Sequence, residues 1–187
     1  AKKFKSKIIY IKKEDFSFGK SLNLGCSNSN GEILVFISGH CVPYDNNWLY
    51  NLCEPIFEKK ASYVYGRQIG GENTKFSENI HFKKFFPDED YIPGAKGDKF
   101  LEYFCNNANS AISKKIWSKF MFDEKISGLE DMKLAKRIKE DGHKIQYISR
   151  SCVYHHHNET FKQIKNRYER ESFALRSIFN NLDITFI

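Results

Sequence analysis

Hydrophobic positions along the chain alternate between two kinds of pattern. Apolar-rich runs at 7–11 ("KIIYI"), 33–37 ("ILVFI"), 61–66 ("ASYVYG"), 144–148 ("KIQYI") and 151–154 ("SCVY") predict strands. The run 33–37 holds five apolar residues without polar alternation, which predicts a strand buried on both faces. Between these runs the spacing becomes helical. The stretch 18–32 predicts a helix closed by Gly31. The stretch 45–54 starts with Asp and Asn, carries Trp48, Leu49 and Leu52, and should end or kink at Pro55. A short helix follows near 113–120, and a longer one over 129–140 ends at Asp141-Gly142. A last helix starts near Thr160, with Phe161, Ile164, Tyr168 and Leu175 on one side. From 70 to 99 the turn signals Gly70-Gly71, "FPDED" and "IPGAKGDK" predict a long functional loop. Strands alternating with helices predict an α/β domain, a mostly parallel sheet flanked by helices.

In open α/β sheets, ligands sit at the carboxyl ends of the strands. The run 33–37 delivers Ser38-Gly39-His40 to such an end. A lone His40 is read either as a hydrogen-bonded structural residue or as part of a divalent-metal site with His155 or His157. In "CVYHHHNET" (152–160), alternation sends His155 and His157 to one face and His156 to the other. Those imidazoles suit a metal or a phosphate, and equally an exposed turn. In "SGLEDMKLAKRIKEDG" (127–142), Ser127 and Glu130 stand at capping-box spacing, which gives Glu130 a structural task. Asp131 shares a stripe with Leu134, Ala135 and Ile138. It either faces a polar cleft or stabilises the helix dipole, and spacing leaves both open.

Composition narrows the class. Apolar residues make up 41% and aromatics 16%, which excludes a disordered chain. No apolar run reaches a membrane span, and the basic N-terminal stretch lacks the apolar core of a secretory signal, so a soluble cytoplasmic protein is expected. Five scattered cysteines without a CxxC pair fit buried free thiols in a reducing compartment. The net charge of +7 suits an anionic partner: a nucleotide, a nucleic acid or an anionic lipid surface. Without an aromatic RNA-binding box or zinc-finger spacing, no nucleic-acid partner is expected.

Read as an ordered set, "FSFGKSLNLGCSNSNGEILVFISGHCVPYDNNWL" (16–49), "YGRQIG" (65–70), "CNNANSAISKKIW" (105–117), "FDEKISGLEDMKLAKRIKEDGHKIQYI" (122–148) and "VYHHH" (153–157) resemble the family 2 glycosyltransferases, particularly the bacterial rhamnosyltransferase-like members that build surface polysaccharides. The resemblance implies a GT-A fold, a nucleotide-sugar donor, a divalent metal (Mn²⁺ or Mg²⁺) and an inverting single displacement onto a glycan or lipid-linked acceptor. It implies Asp131 as general base within the Glu130-Asp131 motif. It implies Ser38 and Gly39 beside the donor diphosphate, with His40 in place of the second aspartate of Asp-x-Asp. His155 or His157 matches the family's histidine near metal or diphosphate. Arg67, Gln68, Asn107 and Asn109 are expected to border the donor or acceptor pocket, with 70–99 as an acceptor-side loop. The family's first strand–helix–strand unit has no counterpart here. The expected division is therefore a single, N-terminally shortened domain, with the rest of the donor half over about 1–66 and the acceptor half over about 67–187. A preceding segment or a second copy would complete the sheet. A peripheral contact with the inner face of the membrane is also consistent with this resemblance, as is a non-catalytic binding or scaffold module that keeps the fold.

Overall fold

The computed structural model describes residues 4, 6–72, 74–95, 97, 101–156 and 159–179. Its elements in chain order are α1 (Phe18–Ser27), β1 (Ile33–Ile37), β2 (Cys41–Pro43), α2 (Trp48–Phe57), β3 (Tyr63–Ile69), α3 (Phe76–Phe85), β4 (Asn109–Ser113), α4 (Lys114–Phe120), α5 (Glu130–Glu140), β5 (Ile145–His155) and α6 (Phe161–Ile178). The strands form one sheet in the order β1-β4-β3-β5-β2. An α/β sheet flanked by helices is thus what the pattern predicted, but the sheet is mixed. Among the described residues only β3 and β5 pair in parallel; β1–β4, β4–β3 and β2–β5 are antiparallel. The reason lies in 70–108. That stretch leaves the end of β3 and re-enters at the same end of the sheet, so β4 runs back between β1 and β3 without a crossover.

Several local expectations change with this topology. β1 is an edge strand, not one buried on both faces: Leu34 is buried, while Ile37 remains 42% exposed. The run 7–11 joins no strand, and Ile8, Ile9 and Tyr10 are exposed. α1 stops at Ser27 with Asn28 as its cap, short of the close expected at Gly31. Pro55 sits inside α2, which continues to Phe57. The two strands 144–148 and 151–154 are one strand, β5, whose register against β3 shifts between Gly66 and Arg67. Glycine is required at that shift, since a Cβ on Gly66 would lie 2.2 Å from Ser151 O. The loop 70–99 contains α3, and the short strands β2 and β4 carried no apolar run long enough to mark them.

The larger core lies between the sheet and α5, α4 and α6, with Tyr63, Tyr65, Met132, Leu134, Ile138 and Tyr147 fully buried. A smaller one packs α2 on the other face, around Leu52, Val64, Ala111 and Ile148. The five thiols are free, four of them buried. No described helix is long and apolar enough to cross a membrane.

Candidate active site

The pairing directions bring the carboxyl ends of β1, β3 and β5 and the starts of β2 and β4 to one end of the sheet. A cavity of about 810 Å³ opens there, and Ser38, His40, Asn107, Glu130, Asp131 and His155 all line it. Residues 130–131 and position 40 therefore open into a common crevice, although they are far apart in sequence.

Asp131 enters from the first turn of α5. The residue before that helix, Leu129, has φ +55°, a left-handed conformation that a bulky residue adopts only at a cost. The Ser127–Glu130 capping box does not form: Leu129 is the cap residue and no side chain caps the helix. Glu130 is thereby released from that task and lines the cavity beside Asp131. Asp131 is buried, and its carboxylate accepts from the backbone N–H of Asn107 at 2.9 Å and of Met132 at 2.8 Å. Burial pushes its pKa up, to about 7, and the Glu130 charge adds to the rise; the backbone donors pull the other way. Burial also raises Glu130, opposed by the Arg170 cation.

Within the same cavity, His40 Nε2 lies 2.8 Å from His155 Nε2, with the rings stacked at 4.8 Å. His155 Nδ1 meets Gln68 Oε1 at 2.6 Å. An amide oxygen only accepts, so Nδ1 of His155 carries the proton and its Nε2 lone pair faces His40. Gln68 is fully buried, and its Nε2 donates to Asn106 Oδ1 at 3.0 Å. Asn106 Oδ1 also accepts from the Ala108 N–H. One hydrogen-bonded chain thus runs from the imidazole pair through Gln68 to the 106–108 turn that donates to Asp131.

The other expected site residues are dispersed. Asn107 lines the cavity, and its Oδ1 accepts from Tyr63 and Ser110 hydroxyls at 2.5 and 2.8 Å. Ser38 is held by its N–H on Ala108 O, and its carbonyl accepts from Cys41 N–H to close the turn over the sheet. Arg67 and Gln68 line a separate, smaller cavity of about 210 Å³ with Phe82 and Phe86, and Arg67 is paired with Asp88. Gly39 is absent from the lining of either cavity, and a Cβ there would meet nothing within 4 Å. Asn109 departs furthest from expectation. It is fully buried, donates to Arg67 O and Ser151 O, and accepts from Trp48 Nε1, so its amide is spent on tying β4 to β3, β5 and α2. His157 lies outside the described residues.

Sequence reading missed the wall supplied by α6. Arg167, Arg170 and Glu171 line the cavity, as does Glu159 just before the helix. Arg167 grips Glu159 through two nitrogens, at 3.1 and 2.9 Å. Arg170 stacks over Phe18 at 5.2 Å, joining α6 to α1 across the cavity. The signal was present. Positions 167, 170, 171, 174 and 178 form one helical stripe, and Ala174 and Ile178 at its far end are buried. Of the side chosen instead, Phe161 (88% exposed) and Tyr168 point outward, while Ile164 is partly buried and Leu175 packs on the core.

The donor set can be tested for a metal. Among the described residues no group of three or more His, Cys, Asp or Glu is arranged to hold one. Two imidazoles are present, one with its tautomer fixed by a neighbouring carbonyl as in ligating histidines. This nitrogen pair fits an ion that accepts imidazole, such as Mn²⁺, better than Mg²⁺ with its demand for oxygen.

The fold is an α/β domain with a polar cavity at one end of its sheet, and comparison with known proteins names its class. The model of glycosyl transferase family 2 matches residues 1–120, and the chain belongs to that family. It is 23% identical over 167 residues to the O-antigen chain rhamnosyltransferase RfbN of Salmonella typhimurium, covering 86% of this chain and 53% of that protein. It is 25% identical over 174 residues to the O-antigen chain rhamnosyltransferase WbaN of Salmonella anatum, covering 90% and 55%. The chain spans about half the length of these curated relatives. Among solved structures it is similar to S. aureus TarS 1-349 in complex with UDP-GlcNAc, with a TM-score of 0.57 and 13% identity over 87% of this chain and 47% of that one. It is also similar to GalNAc-T7 with UDP, GalNAc and Mn²⁺, with a TM-score of 0.56 and 15% identity over 83% and 34%. The fold is GT-A.

Proposed function

We propose that this chain is the catalytic core of an inverting glycosyltransferase that moves a hexosyl-type sugar, rhamnose being the favoured case, from a nucleotide-diphosphate donor to a surface-polysaccharide or lipid-linked glycan acceptor. The observation that carries the reading is the single cavity lined by Asp131 together with His40 and His155. Family membership and the two rhamnosyltransferase relatives support it.

In this reading the acceptor hydroxyl lies against Asp131. As its oxygen forms the new bond to the anomeric carbon, Asp131 takes the hydroxyl proton. The bond from that carbon to the diphosphate oxygen breaks on the opposite side, and its electron pair leaves with the nucleoside diphosphate. A base poised near neutrality is matched to this task, because it is both ionised and basic enough at working pH. Backbone N–H groups of Asn107 and Met132 orient the carboxylate. His40 and His155 would hold a divalent cation, which when bound supplies positive charge to the diphosphate. Ser38 stands in the same cavity for the diphosphate, and Asn107 borders the sugar.

The test is Asp131→Asn, whose side chain keeps the size and an acceptor oxygen but is not a base. Transfer or donor hydrolysis should fall by about a hundredfold or more. Near-normal turnover in that variant removes Asp131 from the mechanism. One observation favours a second reading, a non-catalytic module that keeps the fold: Ser38-Gly39-His40 offers no carboxylate to a cation. Calorimetry with UDP, GDP and dTDP plus Mn²⁺ separates them, since tight metal-dependent binding speaks for the enzyme.

A further inference from the structure

We infer that the basic, aromatic rim built from the exposed side of α3 and the first half of α6 is the surface by which this chain docks on an anionic lipid bilayer. Phe76 opens α3 at 81% exposure and Phe161 opens α6 at 88%; Ile80, one turn along α3, and Tyr168, two turns along α6, are also exposed. Single exposed apolar residues are ordinary, but large aromatic rings this bare on two adjoining helices are not. The two helix starts are neighbours. Lys75 Nζ donates to Glu159 O at 2.7 Å and lies 5.9 Å from the centre of the Phe161 ring.

Charge selects the occupant. Helical spacing places Lys83 and Lys84 on the same side of α3 as Phe76 and Ile80, and Lys162 beside Phe161. Lys75, Lys83, Lys84 and Lys162 join no ion pair among the described residues. Glu72 stands exposed near them, Glu78 lies partly buried in the first turn of α3, Glu159 is held by Arg167, and Lys165 is offset by Glu169 at 3.7 Å. Aromatic rings flanked by lysines that join no ion pair among the described residues are the chemistry of an interfacial contact: rings enter the headgroup boundary while the ammonium groups of Lys83, Lys84 and Lys162 meet anionic lipid. The exposed apolar face of α2, with Leu49, Tyr50 and Phe57, lies instead beside Glu54 and Glu58, whose charges are matched by Arg150 and Lys60. That face offers no attraction to an anionic surface.

Position gives the rim a use. Glu159 and His156 line the large cavity, so the contact would set the cavity mouth at the bilayer. This consequence rests on the proposed lipid-linked acceptor; the docking itself does not, because its test needs neither donor nor acceptor.

The experiment is co-sedimentation of the full chain with vesicles of phosphatidylcholine alone and of phosphatidylcholine with about one-third phosphatidylglycerol, at about 0.1 M salt, where screening still leaves an attraction over about 10 Å. Binding to the anionic vesicles should exceed that to neutral ones by about tenfold or more, since each lysine near such a surface contributes about fivefold. Lys83→Glu with Lys84→Glu should abolish that preference, and Phe76→Ser with Phe161→Ser should weaken binding to both. All four residues are exposed, so circular dichroism should match the parent. Equal binding by parent and variants, or no vesicle binding, overturns the inference. A concentration-dependent dimer in analytical ultracentrifugation that disappears in Phe76→Ser/Phe161→Ser overturns it in favour of a second copy on this face. Loss of transfer in Asp131→Asn bears on the activity alone and leaves the vesicle result untouched.

Discussion

Gln68 Oε1 lies 2.6 Å from His155 Nδ1, and the same carboxamide donates through Nε2 to Asn106. A fully buried amide with both ends engaged joins the imidazole wall to the turn that orients Asp131. Gln68→Leu keeps much of the volume but removes both bonds. It leaves the His155 N–H and Asn106 Oδ1 without this partner, at about 1–3 kcal/mol for a buried group. Loss of a partner that orients a ligating histidine lowers metal affinity by about 10- to 100-fold in known sites. The expected result is a folded, less stable variant whose Mn²⁺-dependent UDP binding, read by calorimetry, drops into that range. Unchanged binding would confine Gln68 to a packing role.

Asp131 makes stability depend on pH in a definite direction. Its carboxyl titrates near 4 in the unfolded chain and at about 7 in the fold. The protonated form is therefore favoured by folding. Its contribution is whole below pH 4 and is lost as pH rises through about 7, because the charged form must then be buried. The carboxamide introduced by Asp131→Asn does not ionise. The melting temperature of Asp131→Asn should exceed that of the parent at about pH 8, and the difference should shrink steadily toward about pH 4. A difference that stays constant across this range would mean that Asp131 is not desolvated as the cavity geometry requires.

Gly39 separates the needs of the fold from those of the ligand. A Cβ there enters open space, so Gly39→Ala should leave urea stability within about 0.5 kcal/mol. If the turn 38–40 approaches the donor diphosphate, the added methyl should raise KM for the nucleotide-sugar while kcat with saturating donor changes less. Kinetics over a donor series checks this, and an unchanged KM would place the diphosphate away from Gly39.

The carboxylate was partly readable from the sequence and the polar scaffold was not, for physical reasons. Asp131 was legible only in part: a charge on an apolar helical stripe asks for a cleft or for the helix dipole, spacing left both open, and the family resemblance favoured the cleft. The same logic applied to α6 would have found Arg170 and Glu171, but bare aromatic rings at 161 and 168 drew the stripe to the wrong face. β1 looked central because an unbroken apolar run does not distinguish a central strand from an edge strand whose faces are partly covered. β4 was invisible since "NSAIS" has small polar residues where the sheet is densest, and its pairing is set by distant partners. Whether a polar residue serves the ligand or the scaffold depends on what surrounds it, and spacing holds no record of that.

Asn107 and Asn109 make that last point testable, two positions apart on one stretch of chain. Asn109 accepts from Trp48 and donates to two backbone carbonyls, all within the protein. Asn109→Ala strands the indole N–H and the carbonyls of Arg67 and Ser151. Each unsatisfied group costs about 1–3 kcal/mol, so a loss of about 3 kcal/mol or more in urea unfolding is expected. Turnover per folded molecule should change little, since this side chain does not line the cavity. Asn107 lines the cavity and supports Asp131 through a backbone N–H that survives truncation. Asn107→Ala also releases the Tyr63 and Ser110 hydroxyls, so it will cost stability as well. The two variants should diverge in kinetics measured on refolded, concentration-matched protein, with KM or kcat altered in Asn107→Ala and neither altered in Asn109→Ala. The opposite ranking would mean that the crevice at 131 and 40 is not where substrate binds.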